Sequence, residues 1–105
     1  MQFKFMNPDE LKTKFEAGEQ AVVVDIRDTG SFSAGAIKGS QPLTNDNVQT
    51  FVEQTDKQLP VVVCCYHGNS SQSAAQFLVE QGFSDVYSLQ GGYELWKTVC
   101  PEHCQ

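Results

Sequence analysis

Two kinds of hydrophobic pattern alternate along the chain. The first is a short run that is apolar at nearly every position. Residues 21–26 (Ala-Val-Val-Val-Asp-Ile) and 61–65 (Val-Val-Val-Cys-Cys) are of this kind, which marks strands covered on both faces. Residues 85–89 give a third strand, and the shorter runs 3–5 and 40–43 predict edge strands. The second kind is a longer segment with apolar residues at every third or fourth position. Asn7 is placed to cap a helix, with Pro8 at its first position and Glu10 three residues after the cap. Leu11 and Phe15 then share one face, and Gly18 stops the helix. Asn45 or Asp46 is placed to cap a second helix, with Val48, Phe51 and Val52 on one face. A third carries Ala75, Leu78 and Val79 and ends at Gly82. The last comes after Gly91-Gly92 and holds Leu95, Trp96 and Val99. Residues 28–35 read as a loop with one helical turn at most.

Strands buried on both faces and alternating with helices predict an α/β fold, a mostly parallel central sheet with helices on both faces. The length of 105 residues fits a single domain. It is read as 1–105, with its core over 7–101 and a tail at 102–105.

Charge narrows the possible partners. Lys plus Arg total 7 against 13 Asp plus Glu, a net −6 at pH 7. Such a surface repels phosphate backbones, so nucleic acid is not expected as a partner. No apolar run approaches the ~20 residues that span a bilayer, so no membrane partner is expected either. The first six residues lack the apolar stretch of a secretory signal, which points to a cytoplasmic protein. In that compartment Cys64, Cys65, Cys100 and Cys104 are expected to be reduced. A bridge between the adjacent Cys64 and Cys65 would also be strained.

Ligands of open α/β sheets bind beyond the carboxyl ends of the strands. The 61–65 strand ends in Cys65-Tyr66-His67-Gly68-Asn69-Ser70-Ser71, and a helix comes next. The N–H groups of such a loop fold inward into an anion-binding nest backed by the helix N-terminus. Both features lower the pKa of a thiol. A depression of ~2 units makes the thiolate dominant at neutral pH and corresponds to about 2.7 kcal/mol. The alternative is that Cys65 is one more small buried apolar residue. Side-chain alternation sends Cys64 the opposite way, into the core beneath a helix.

Other candidates carry two readings each. His67 is a base or donor, or a solvent-facing loop residue. Arg27 with Asp25 or Asp28 reads as a structural ion pair holding the next loop rather than as a binding cluster. Cys100, His103 and Cys104 lack a fourth partner for a closed tetrahedral metal site, so no metal is assigned to them. A resolving thiol for Cys65 is the other reading of that cluster.

The loop Cys65-Tyr66-His67-Gly68-Asn69-Ser70-Ser71 resembles the active-site loop of the rhodanese family, in particular its single-domain thiosulfate sulfurtransferases. Asp25-Ile26-Arg27-Asp28 with Phe32, Gly35 and Gly39 resembles the family's upstream signature. Leu89-Gln90-Gly91-Gly92-Tyr93 with Trp96 and Pro101 resembles its C-terminal signature. Leu43-Thr44-Asn45-Asp46 is similar to the single-domain branch.

The resemblance implies a rhodanese-like domain and a persulfide cycle. The Cys65 thiolate would attack the outer sulfur of thiosulfate, and sulfite would leave. The sulfur would pass to a thiophilic acceptor, cyanide in assay or a dithiol such as thioredoxin in the cell. The loop of Tyr66, His67, Gly68, Asn69, Ser70 and Ser71 would hold the persulfide through its N–H groups, with no cofactor. Two departures stand out. The loop holds no Arg or Lys, which implies weak thiosulfate binding, and Ala36 comes after Gly35 where the family usually has His.

Three other readings share this architecture. A phosphatase of the Cdc25 type needs Arg at the sixth position after the cysteine, to bind phosphate bidentately. Ser71 stands there instead. A non-catalytic rhodanese-like binding module typically lacks the cysteine, and this chain keeps it. A sulfur carrier fed by another protein's persulfide would use the same Cys65 chemistry.

Overall fold

The computed structural model describes residues 2–105. Its strands are β1 (Lys4–Met6), β2 (Val22–Asp25), β3 (Gln41–Pro42), β4 (Val61–Cys64) and β5 (Val86–Leu89). They form one sheet in the order β1-β5-β4-β2-β3, and every ladder is parallel. The two weak apolar runs at 3–5 and 40–43 do supply the edges. Between the strands lie α1 (Pro8–Glu16), α2 (Thr29–Ala34), α3 (Val48–Gln54) and α4 (Ser70–Glu80), and α5 (Gly92–Val99) follows β5. Among the described residues no helix is long and apolar enough to cross a membrane.

The unbroken valine run is explained by its place. β4 is the central strand, and all four of its residues are fully buried. Val62 and Cys64 face a core built with Leu11, Trp96 and Cys100 on the α1–α5 side. Val61 and Val63 face a second core with Phe51, Ala75, Leu78 and Phe83 on the α3–α4 side. Each such side chain contributes about 1.5–3 kcal/mol by leaving water. From β4 the chain proceeds to β5 on one side, while β2 leads to β3 on the other. The crevice beyond the carboxyl end of β4 is therefore where the connections diverge, the position at which such sheets bind ligands.

Local signals account for most element ends. The capping box at α1 is complete: Asn7 Oδ1 accepts the Glu10 amide at 2.9 Å, and Glu10 Oε1 accepts the Asn7 amide at 3.0 Å. The segment at 28–35, read as a loop with one helical turn at most, holds the six-residue α2. Asp28 caps it, accepting the Ser31 amide at 2.8 Å and the Ser31 hydroxyl at 3.0 Å.

Three details differ from the sequence expectation. The residue before α3 is Asn47 rather than Asn45 or Asp46. Its side chain braces the preceding loop, accepting from the Thr44 amide at 2.8 Å and donating to the Pro42 carbonyl at 3.0 Å. On α5 the buried side chains are Tyr93 and Trp96, continued by Cys100 just past its end, while Leu95 and Val99 are exposed. Ser70 and Ser71 already belong to α4, so the connecting loop is shorter than the sequence suggests.

The C-terminal residues, read as a tail, pack against the body of the domain. Cys104 bridges Ile37 in antiparallel fashion, and the Gln105 amide donates to the Ala36 carbonyl at 2.8 Å.

Candidate active site

Cys65 is the first residue after β4, and the loop it opens is shaped by two helix N-termini and two glycines. The Cys65 carbonyl accepts the Tyr93 amide at 2.8 Å, and the Tyr66 carbonyl accepts the Glu94 amide at 3.1 Å. These donors belong to the first turn of α5, whose N–H groups have no partner within the helix. Gly92 makes this approach possible. A Cβ there would lie 2.5 Å from both carbonyl oxygens, and its φ is +58°. Gly68 has a φ of +91°, and a Cβ on it would meet the Gly91 nitrogen at 2.9 Å. Only a glycine adopts that turn without strain in so tight a space.

With its carbonyls committed to α5, the loop turns amides toward the sulfur. Gly68 N–H donates to Cys65 Sγ at 3.1 Å, and Ser71 N–H donates at 3.3 Å. Ser71 lies in the first turn of α4, so the second donor is also a free helix N–H. Burial pushes the Cys65 thiol up, but the Ser71 hydroxyl and the amides of Ser71, Gly68 and His67 outweigh it. The net result is a pKa below the ordinary thiol value. The neighbouring Cys64 has the opposite fate. It is fully buried, and burial, then the charge of Asp25, pushes its thiol far up. Strand alternation thus separates an ionisable sulfur from an inert one.

The remaining loop side chains are not gathered around the sulfur. Those of His67, Asn69 and Ser70 are exposed. His67 takes part through its amide, and α4 has no side-chain cap. Tyr66 leans away, its hydroxyl donating to Asp28 and lying 3.2 Å from Ser31 Oγ. Asp28 is held down to about 2 by the Tyr66 hydroxyl, together with the Ser31 amide and hydroxyl.

Arg27 is not free to bind an anion at the sulfur. Its Nε and Nη2 form a forked pair with Asp25 at 2.8–3.1 Å, and Nη2 also donates to the Gly35 carbonyl at 2.7 Å. The guanidinium lies 4.2 Å from the centre of the Tyr93 ring. Cys100 and Cys104 pack with Cys64 on the α1–α5 side, whereas the Cys65 sulfur faces the first turn of α4. Among the described residues, no group of three or more His, Cys, Asp or Glu is arranged to hold a metal ion.

Two features were not anticipated from the sequence. The Ser71 hydroxyl is 2.7 Å from that of Ser88 on β5, and both residues are fully buried. A cavity of about 510 Å³ also opens beside the loop, lined by residues including Ile26, Asp28, Leu43, Val48, Ala74 and Phe77. Cys65 is not in its wall, and Asp28 connects it to Tyr66.

A parallel sheet whose central strand delivers a cysteine sulfur to inward-pointing backbone amides is the arrangement of one class of domain. The family model described as Rhodanese-like domain matches residues 7–98, and the chain belongs to that family. It is 54% identical over 100 residues to the thiosulfate sulfurtransferase GlpE of Pseudomonas fluorescens (strain SBW25), covering 95% of this chain and 90% of that protein. The protein of the same name from Pseudomonas aeruginosa PAO1 is 52% identical over 99 residues, covering 94% and 88%. Among solved structures, a rhodanese-like domain protein from Staphylococcus aureus superposes with a TM-score of 0.80 at 23% identity. That match covers 90% of this chain and 91% of the other, and it speaks for the fold alone.

Proposed function

We propose that this chain is a thiosulfate sulfurtransferase that carries sulfur as a persulfide on Cys65. The observation that bears most weight is the pair of N–H groups, from Gly68 and Ser71, aimed at the Cys65 sulfur. The high identity to proteins named for this activity supports the same reading.

The chemistry balances without a cofactor. The Cys65 thiolate attacks the outer sulfur of thiosulfate, the sulfur–sulfur bond of the donor breaks, and its electron pair leaves with sulfite. The persulfide anion on Cys65 then occupies the cradle of Tyr66, His67, Gly68, Asn69, Ser70 and Ser71, stabilised by backbone N–H groups rather than by a cation. Cyanide attacks the outer sulfur, forms thiocyanate and returns the Cys65 thiolate. A dithiol such as thioredoxin does the same, and its second thiol then closes a disulfide and releases hydrosulfide. The reducing cytoplasm is the compartment that suits this cycle, because a dithiol acceptor must be kept reduced there. The loop carries no Arg or Lys and Arg27 is engaged by Asp25, so thiosulfate binds weakly. Residues 1–105 act as one rhodanese-like domain with its working core over 7–101.

The test is a pair of substitutions assayed for sulfur transfer from thiosulfate to cyanide. Cys65→Ser reduces the rate to background, while Cys64→Ser retains it. An active Cys65→Ser protein contradicts the assignment.

A further inference from the structure

Ser88 sits where an apolar residue is expected. On β5 it shares the α4-facing side with Val86, which belongs to the valine and phenylalanine core. It pairs in register with Val63 on β4 and Phe5 on β1. Both Ser88 and Ser71 are fully buried. A buried hydroxyl is costly unless it is hydrogen-bonded, and among the described residues Ser88 Oγ has one partner, Ser71 Oγ, at 2.7 Å. Ser71 in turn reaches Cys65 through its amide at 3.3 Å.

Counting protons fixes the direction of the pair. Each hydroxyl carries one. The Ser88 proton has no acceptor but Ser71, so it points there. The Ser71 proton is then released from the pair, and the Ser71 hydroxyl acts on the Cys65 sulfur, to which the amide of the same residue donates at 3.3 Å. With an anionic sulfur, all the protons are satisfied in the chain Ser88 to Ser71 to Cys65. With a neutral thiol whose proton points at Ser71, one hydroxyl proton is left without an acceptor in the buried pair: that of Ser71, or that of Ser88 if the chain reverses. The pair therefore favours the charged sulfur.

We propose that Ser88, which does not touch the sulfur, is a positioning residue that holds the Ser71 hydroxyl proton toward Cys65 and so favours its thiolate. The Ser71 hydroxyl is also the first of the groups that lower the Cys65 thiol. The proposal rests on Cys65 being the reactive sulfur. Its test reads ionisation rather than sulfur transfer, so that either idea can fail without the other.

The test measures the rate at which iodoacetamide modifies Cys65, tracked by peptide mass spectrometry across pH, in wild type, Ser88→Ala, Ser71→Ala and the double variant. Ser88→Ala shifts the profile upward by about half to one pH unit, the size of one modest hydrogen bond. At pH values well above the shifted midpoint its rate returns to that of wild type. Ser71→Ala shifts the profile as well, and adding Ser88→Ala to it moves the profile no further. Should Ser88→Ala not fold, Ser88→Cys, near in size with a weaker donor, shifts the profile in the same direction. A Ser88 variant with the wild-type profile overturns the proposal. So does a rate lowered equally at all pH values, or a double variant whose shift is the sum of the two single shifts.

Discussion

Gly68 and Cys65 stand three residues apart, and the amide of the first donates to the sulfur of the second across 3.1 Å. That contact depends on a left-handed turn at Gly68, with φ +91°, pressed against the Gly91 nitrogen. Gly68→Ala places a methyl group 2.9 Å from that nitrogen and 3.2 Å from the Leu89 carbonyl oxygen. Strain of this kind costs about 1–3 kcal/mol, and it turns the amide from the sulfur. The variant should lose about ten-fold or more in sulfur transfer at neutral pH, with its pH profile displaced upward, since one pKa unit is a factor of ten. Steady-state assays across pH check this. Unchanged kinetics would show that the amide is not needed.

Asp25 and Arg27 form the buried pair that anchors the end of β2, with side chains 0% and 4% exposed. Asp25→Ala leaves the guanidinium buried without its partner. Loss of one member of such a pair destabilises by about 3–5 kcal/mol. Urea denaturation measures it. A loss below about 1 kcal/mol, the level of an exposed pair, would contradict the geometry.

Asp28 and Tyr66 tie the loop after β4 to the start of α2. The Asp28 carboxyl lies lower in the folded chain, about 2, than its ordinary value of 3.8. Its contribution is therefore fully present above about pH 4 and is lost as the pH falls toward 2. Wild type should lose its stability advantage over Asp28→Asn across that interval. Tyr66→Phe, which removes the largest cause of the depression, should lose less than wild type does. The effect is modest and shrinks with added salt, because the carboxylate is exposed. Urea midpoints at a series of acid pH values provide the check, and parallel curves for the three proteins would contradict it.

Local signals were legible in the sequence, and long-range ones were not. The capping box at Asn7 and Glu10 uses residues three apart, and the valine run of β4 declares a strand buried on both faces, so both could be read directly. The opposite orientation of Cys64 and Cys65 comes from strand alternation alone. The helix α2 was legible only as a single helical turn within a loop, because Thr-Gly-Ser-Phe-Ser-Ala offers little intrinsic helix preference and its N-terminus is held by the Asp28 cap. Of the three apolar residues read on α5, Trp96 is buried while Leu95 and Val99 are exposed, since spacing alone does not say which of them faces the core. The amide cradle was foreseeable in kind, but which amides point inward depends on α5 holding the Cys65 and Tyr66 carbonyls. Contacts across long separations left no sequence trace. Tyr66 with Asp28 and Ser71 with Ser88 join residues 38 and 17 apart. In sequence, Ser88 is only a polar interruption of an apolar strand.

The claim on which the account turns is that the Cys65 sulfur accepts and releases one further sulfur atom. Intact-mass spectrometry of the reduced protein, treated with thiosulfate and then with cyanide, tests it directly. The account predicts a gain of one sulfur atom, located on the Cys65 peptide, that disappears on cyanide treatment and never forms in Cys65→Ser. A protein whose mass is unchanged by thiosulfate, or whose added sulfur resides on Cys64, Cys100 or Cys104, would contradict it.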